Sequence, residues 1–441
     1  MPAAPDKLFA LRGQTLSFRS DPFRTPPDAA VSHNQDGLVV IGGGKIVDVG
    51  PAQEVLPRYP GIEVESHSDA IIMAGFVDCH VHYPQLPVIA SYGEQLLEWL
   101  NKYTFPAESK FGDYAHARAT AETFLDVSIE NGITTSSVYC TTHPESVDAF
   151  FEAAHARGMC MAAGKVMMDR NGPESLCDTA ETGYRDSKAL IERWHGQGRL
   201  TYTVTPRFAP TSTSAQLEAA GALWREFPTT LMQTHISESI YEIEWVKELY
   251  PEAPDYLGVY ETYGLIGRGA NFGHAIHLTE REIARLTETG SGISHCPTSN
   301  TFIGSGLFDM QALRDCDNPI RVGMATDVGG GSSMSMFSTI KSSYEICQLQ
   351  GYSLHPAKAF YLATLGSAEV LRMEDRIGNL APGYDADIIV IDLKSKPLID
   401  YRMRFVYDLW EALFIQMILA DERAIRATFV GGKKLHQRAS A

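Results

Sequence analysis

Between residues 71 and 326 the chain changes character repeatedly, from short β-branched runs to segments with helical periodicity and back. The runs with strand character are Ile71–Asp78, Thr134–Tyr139, Met159–Val166, Thr201–Pro206, Thr230–His235, Ala270–His274, Gly292–His295 and Arg321–Thr326. Helical patterns follow most of them, among them Tyr114–Glu130, Glu145–Arg157, Ser214–Phe227, Glu238–Leu249, Thr279–Thr289 and Phe337–Gln350. Eight such alternations over about 300 residues predict a (β/α)8 TIM barrel. A doubly wound open sheet also alternates, usually with fewer strands. At both ends the texture is β-rich without helices, in residues 36–50, 383–393 and 426–435. These segments predict a smaller β-sandwich domain formed by both termini, residues 1–68 plus 378–441, beside a barrel of residues 69–377.

Composition narrows what such a barrel can do. The chain has 441 residues, 44% hydrophobic and 21% charged, enough to bury a large core. Its formal net charge of -17 leaves no basic footprint for nucleic acid. The seven cysteines are scattered and never form C-x-x-C, which speaks against a disulfide framework and a cysteine zinc site. The opening stretch MPAAPDKLFALRG lacks the basic-then-apolar pattern of a secretory leader. The apolar stretch Trp410–Ala420 is too short to span a bilayer and carries Glu411. The expectation is a cytoplasmic protein with small-molecule partners, no nucleic acid and no membrane.

Active sites of TIM barrels lie at the C-terminal ends of the strands. The chemically able residues of this chain fall there: His80 and His82 after the first strand, Arg207 after the fourth, His235 after the fifth, His274 after the sixth and Asp327 after the eighth. His80 and His82 are two apart, so in extended chain both can face the mouth. Three histidines and a carboxylate, His80, His82, His235 and Asp327, suit zinc or iron with one position left open for water. Asp327 could bind the metal, take a proton from its water, or both. Glu238, three residues after His235, is either a proton shuttle above the metal or a helix-start glutamate favoured by the dipole. His274 is a ligand, a substrate contact or a satisfied core histidine. His277 and His295 lie near the mouth, whereas His116, His143, His155, His195, His355 and His436 fall in helices or loops.

FVDCHVH (76–82), THISE (234–238), FGHAIHL (272–278), CPTSN (296–300) and ATDVGGG (325–331), in this order, resemble the amidohydrolase superfamily. More narrowly, HYPQ (82–85), SYGEQLLEWLNKYTFPAE (91–108), GKVMMDRN (164–171), TPRF (205–208) and SGLF (305–308) are similar to the guanine deaminase family. The resemblance runs from about residue 36 to 435, nearly the whole chain. It implies a homodimeric aminohydrolase with one zinc ion per subunit, converting guanine to xanthine and ammonia. It implies zinc on His80, His82, His235 and Asp327, with Glu238 as proton shuttle and His274 at the metal water or substrate. Gln85, Arg207 and Phe208 would bind the purine beside His82, His235, Glu238 and Asp327. Two-metal relatives carry a carboxylated lysine at the end of strand 4, where this chain has Thr205-Pro206-Arg207-Phe208, so one metal is expected. Two departures are visible: Ser239 where asparagine commonly follows the shuttle glutamate, and Ala74 where proline commonly precedes GFVD. The H-x-E with P-C-x-x-C of the other zinc deaminases is absent. The segment Tyr92–Glu108, with Trp99, Tyr103 and Phe105 beside Glu94 and Glu98, reads as an amphipathic helix on the barrel, or as a cap or dimer contact.

Overall fold

In the computed structural model, described here for residues 7–92 and 95–439, parallel strands form a nearly closed barrel. Glu94 and the first six residues of the opening stretch lie outside the described residues. In chain order the strands are β1 (Phe9–Phe18), β2 (Val31–Gly42), β3 (Lys45–Pro51), β4 (Glu63–Ala74), β5 (Phe76–His82), β6 (Ile133–Tyr139), β7 (Cys160–Gly164) and β8 (Val166–Met167). They continue as β9 (Thr201–Pro206), β10 (Leu231–Ile236), β11 (Ala270–His274), β12 (Gly292–His295), β13 (Arg321–Met324), β14 (Ile388–Asp392), β15 (Ile425–Val430) and β16 (Lys433–Gln437). The barrel wall runs β5-β6-β7-β9-β10-β11-β12-β13, with β8 paired to the end of β9. The run read as Met159–Val166 is therefore interrupted at Lys165, whose backbone N–H donates to Tyr202 Oη at 3.2 Å instead of to the ladder and whose buried ammonium pairs with Asp178.

The seam between β5 and β13 is closed by side chain as well as backbone. Asp327 N–H donates to His80 O at 3.0 Å, and Thr326 donates through N (3.0 Å) and Oγ1 to the buried Asp78 carboxylate. Burial pushes that carboxyl up to about 7, against the pull of the Thr326 and His80 hydrogen bonds. Helices cover the wall outside. Tyr114–Glu130 starts on Asp113, whose carboxylate accepts from Ala115 N, and Glu280–Thr289 starts on a Thr279/Glu282 capping box. The helix Ala180–Trp194 is absent from the sequence reading, because Gly183 and Ser187 make up half of its buried stripe and leave little apolar periodicity to read.

The first strand of the reading, Ile71–Asp78, merges two elements. Residues to Ala74 belong to the terminal sheet, and the barrel strand is Phe76–His82. The chain changes sheets at Gly75: its N–H donates to Asp387 O in the terminal sheet, and the next N–H, of Phe76, donates to Gly132 O in the barrel. A Cβ at residue 75 would lie 2.3 Å from Thr134 Oγ1, so the crossing has room for glycine only. A periodicity reading sees one unbroken apolar run there.

Strands from both termini make one seven-stranded sheet, β16-β15-β14-β4-β1-β2-β3, antiparallel except for the parallel β1–β4 pair. It folds over itself: Leu11, Val39 and Ile46 from one half share a core with Ile388, Val390 and Phe429 from the other, and Ile46 N–H closes onto Tyr384 O. The alternate residues Ile71, Met73, Ile389 and Ile391 join the main barrel core, so the period-2 pattern of β4 and β14 serves both cores. The apolar stretch near Trp410 is the helix Leu409–Leu419, which places Leu413 and Met417 in the barrel core. Among the described residues no helix is long and apolar enough to cross a membrane.

Candidate active site

His80 and His82 sit within β5, not after it, and both rings project into the mouth, 5.2 Å apart between centroids. His235 from β10 meets them: its Nε2 lies 3.1 Å from His82 Nε2, and its ring centroid is 4.7 Å from that of His80. Asp327, just after β13, brings Oδ1 to 3.4 Å from His80 Nε2 and 3.7 Å from His82 Nε2. These are the four residues singled out in the sequence, and they converge. Burial holds the imidazoles of His82 and His235 well below their usual range and lowers that of His80, which favours the neutral rings.

Neutral imidazoles facing one another at these distances need a partner. His80 Nε2, His80 Nδ1 and His82 Nδ1 are buried without one among the described residues. His235 Nδ1 is 2.6 Å from Arg207 O, which fixes that nitrogen as the donor and leaves the Nε2 lone pair facing the mouth. A divalent cation would satisfy this set of nitrogen and carboxylate atoms. His80, His274, Cys296 and Asp327 form a second close group. Burial keeps the Cys296 thiol protonated, well above its ordinary range, which makes it a poor ligand.

Glu238 is not in a helix. It lies in the turn between β10 and the helix Ile240–Leu249, one residue before the Ser239 N-cap. Its backbone N–H, like that of Ser239, donates to the buried carboxylate of Glu242, itself held by Tyr256 Oη at 2.6 Å. Its carboxylate accepts from Ser305 Oγ at 2.9 Å and faces His274 Nε2 at 3.3 Å. Burial pushes this carboxyl up to about 7, with His274 opposing. His274 donates Nδ1–H to Asn300 Oδ1 at 2.9 Å. Burial pulls its ring down, but Glu238 and Asp327 more than offset this, and the net shift is upward. His277 braces the Ser305 carbonyl at 2.8 Å, whereas His295 faces Ser343 Oγ on an outer helix, away from the mouth.

The segment after β5 covers the site. Leu96–Glu108 is helical with a π-helical turn at Leu100–Thr104, and Leu96, Trp99 and Leu100 line the cleft with Gln85, Arg207, Phe208 and Glu238. This is the cap among the alternatives for that segment. Its last residue, Glu108, is buried and paired to Arg207 at 2.7 Å and to Gln85 Nε2 at 2.9 Å. Glu108, Glu242, Asn300 and Ser305 escaped the sequence reading. They lie in matched motifs or beside them, but their partners are distant in sequence.

Residues 71–435 match the amidohydrolase family. The chain belongs to the amidohydrolase family. Within this family it is 46% identical over 411 residues to the guanine deaminase of Escherichia coli (strain K12), covering 93% of each. The solved E. coli guanine deaminase superposes with a TM-score of 0.94 at 45% identity, covering 98% of this chain and 100% of that one. The guanine deaminase of C. acetobutylicum, solved with guanine in its active site, superposes with a TM-score of 0.88 at 28% identity over 98% of this amidohydrolase and 100% of that chain.

Proposed function

We infer that this amidohydrolase is a guanine deaminase, which hydrolyses guanine to xanthine and ammonia with one zinc ion per subunit. The observation that carries this reading is the 46% identity to a guanine deaminase over 93% of the chain, joined to a mouth in which Gln85, Arg207 and Phe208 face the histidine cluster. His80, His82, His235 and Asp327 would hold the metal. The bound ion would act as a Lewis acid that makes water nucleophilic near neutral pH.

The chain's own residues do the rest. Arg207 and Gln85 hold the polar edge of the purine, and Phe208 packs on its ring, so the amine-bearing carbon faces the histidine cluster. Glu238 would take a proton from the attacking water and pass it to the bare ring nitrogen beside that carbon; the water's second proton, taken up by Asp327 or Glu238, would go to the amine, which leaves as ammonia. Ser305 and His274 fix the two oxygens of Glu238 for this transfer. Leu96, Trp99 and Leu100 keep bulk water from the cleft. By the same likeness, the enzyme is expected to be a homodimer.

The test is ultraviolet detection of xanthine formed from guanine by purified protein, before and after treatment with a chelator, alongside metal analysis. Xanthine formation that stops on chelation and returns with zinc is expected. No xanthine from metal-replete protein, with turnover of another aminopurine or a triazine instead, would overturn the assignment.

A further inference from the structure

Among the described residues of the cap, Glu108 hydrogen-bonds to both polar side chains assigned to the purine. Its Oε2 accepts from Arg207 Nη1 at 2.7 Å, while Oε1 accepts from Arg207 Nη2 at 3.2 Å and from Gln85 Nε2 at 2.9 Å. All three side chains are buried, at 1 to 3% exposure. An ionised carboxylate can only accept. Gln85 must therefore turn its amide NH2 toward Glu108, which leaves its Oε1 as an acceptor. That oxygen lies against Gly329, where a Cβ would come within 2.2 Å of it and where φ is +118°. Arg207 is held along one edge by Glu108, with the Phe105 ring centred 5.5 Å from its guanidinium, and it keeps further N–H groups for a ligand.

The pocket thus presents a donor, Arg207, beside an acceptor, Gln85 Oε1. The complementary ligand edge is a carbonyl beside a ring N–H, the lactam edge of a 6-oxopurine. An amidine edge, an amine beside a bare ring nitrogen, opposes this pattern at both positions. We propose that Glu108 is a positioning residue that sets the donor–acceptor polarity of the purine pocket, so that the site takes a lactam edge and rejects an amidine edge. This rests on the guanine reading above and extends it to a residue that need not touch the substrate.

Replacing Glu108 by glutamine removes the constraint. A glutamine carbonyl at 108 can still accept from Arg207, but its NH2 then faces Gln85, which flips and offers its own NH2 to the ligand. The experiment is calorimetry of the metal-loaded protein with hypoxanthine, which has the lactam edge, and adenine, which has the amidine edge. Glu108→Gln should weaken hypoxanthine by about 30-fold or more, with adenine unchanged or tighter. The double variant Glu108→Gln/Gln85→Glu restores an acceptor at 85 and keeps the buried charge, so it should recover most of the preference. Because it preserves the net charge, it also serves if the single variant does not fold. Equal weakening of both ligands in the single variant, or a double variant that shows no hypoxanthine preference, overturns the proposal. Absence of guanine turnover in the parent protein would instead sink the functional reading and leave the polarity measurement standing.

Discussion

The barrel mouth and the terminal sheet are built on opposite principles. In the terminal sheet the central strands bury apolar side chains on both faces and fill separate cores, and its strands carry a single non-glycine residue with left-handed backbone, Asp69. At the mouth, Ser237, His274, Ala275 and Asp327 all adopt positive φ. There too the buried polar atoms of His80, His82, Trp99, Tyr139 and Ser299 lack partners among the described residues. Each strained residue costs about 1–3 kcal/mol and each unpaired buried group a similar amount. Such costs persist only where the surrounding packing over-determines the geometry. The mouth is shaped for something that binds there, and the sheet for itself.

If that contrast holds, substitutions at the mouth should remove activity out of proportion to stability, and substitutions in the sheet should do the reverse. Glu238→Gln is the severest case: guanine turnover should fall by about 10²- to 10⁴-fold while metal content and melting temperature stay near the parent values. A variant with normal turnover would break the contrast at its strongest point. Arg207→Ala comes next, with a twofold signature. It leaves Glu108 as an unpaired buried charge, costing about 3–5 kcal/mol in denaturant unfolding, and it should raise KM for guanine. A lowered stability with unchanged KM would make Arg207 a structural residue only. In the sheet, Phe429→Ala should cost about 3–5 kcal/mol of stability with kcat/KM preserved at temperatures where the variant is folded. Loss of activity without loss of stability there would show the two regions to be coupled. The smallest effect is at Ser305→Ala, where losing one bond to the Glu238 carboxylate should lower kcat by roughly tenfold, about 1.5 kcal/mol, and leave KM alone.

Much of the mouth was legible in the sequence because a TIM barrel collects strand ends in one place. His80, His82, His235 and Asp327 span 248 positions from first to last, yet knowing only that each lies at or near the C-terminal end of a barrel strand is enough to bring them together. What escaped depended on three-dimensional neighbours. Glu108 is 23 residues from Gln85 and 99 from Arg207, and nothing in its local pattern distinguishes it from a solvated helical glutamate. Glu242 reads as a first-turn helix residue, and its buried role appears only once Tyr256 and the backbone of Glu238 close around it. The division of Ile71–Asp78 at Gly75 was hidden for a different reason. Both sheets bury their strands there, so hydrophobicity is continuous across the change of partner.

Gly75 also carries a consequence for how this protein can vary. No loop separates the terminal sheet from the first barrel strand, and His80 follows only five residues later. Side chains of a strand alternate between its two faces, so a single inserted or deleted residue between Ala74 and His80 would turn both imidazoles away from the mouth. Elsewhere in the barrel, strands are joined by loops that can absorb a change of length. Here the two sheets act as a fixed ruler, and the place of the histidines is measured out from the edge of a sheet that lends no side chain to the cleft.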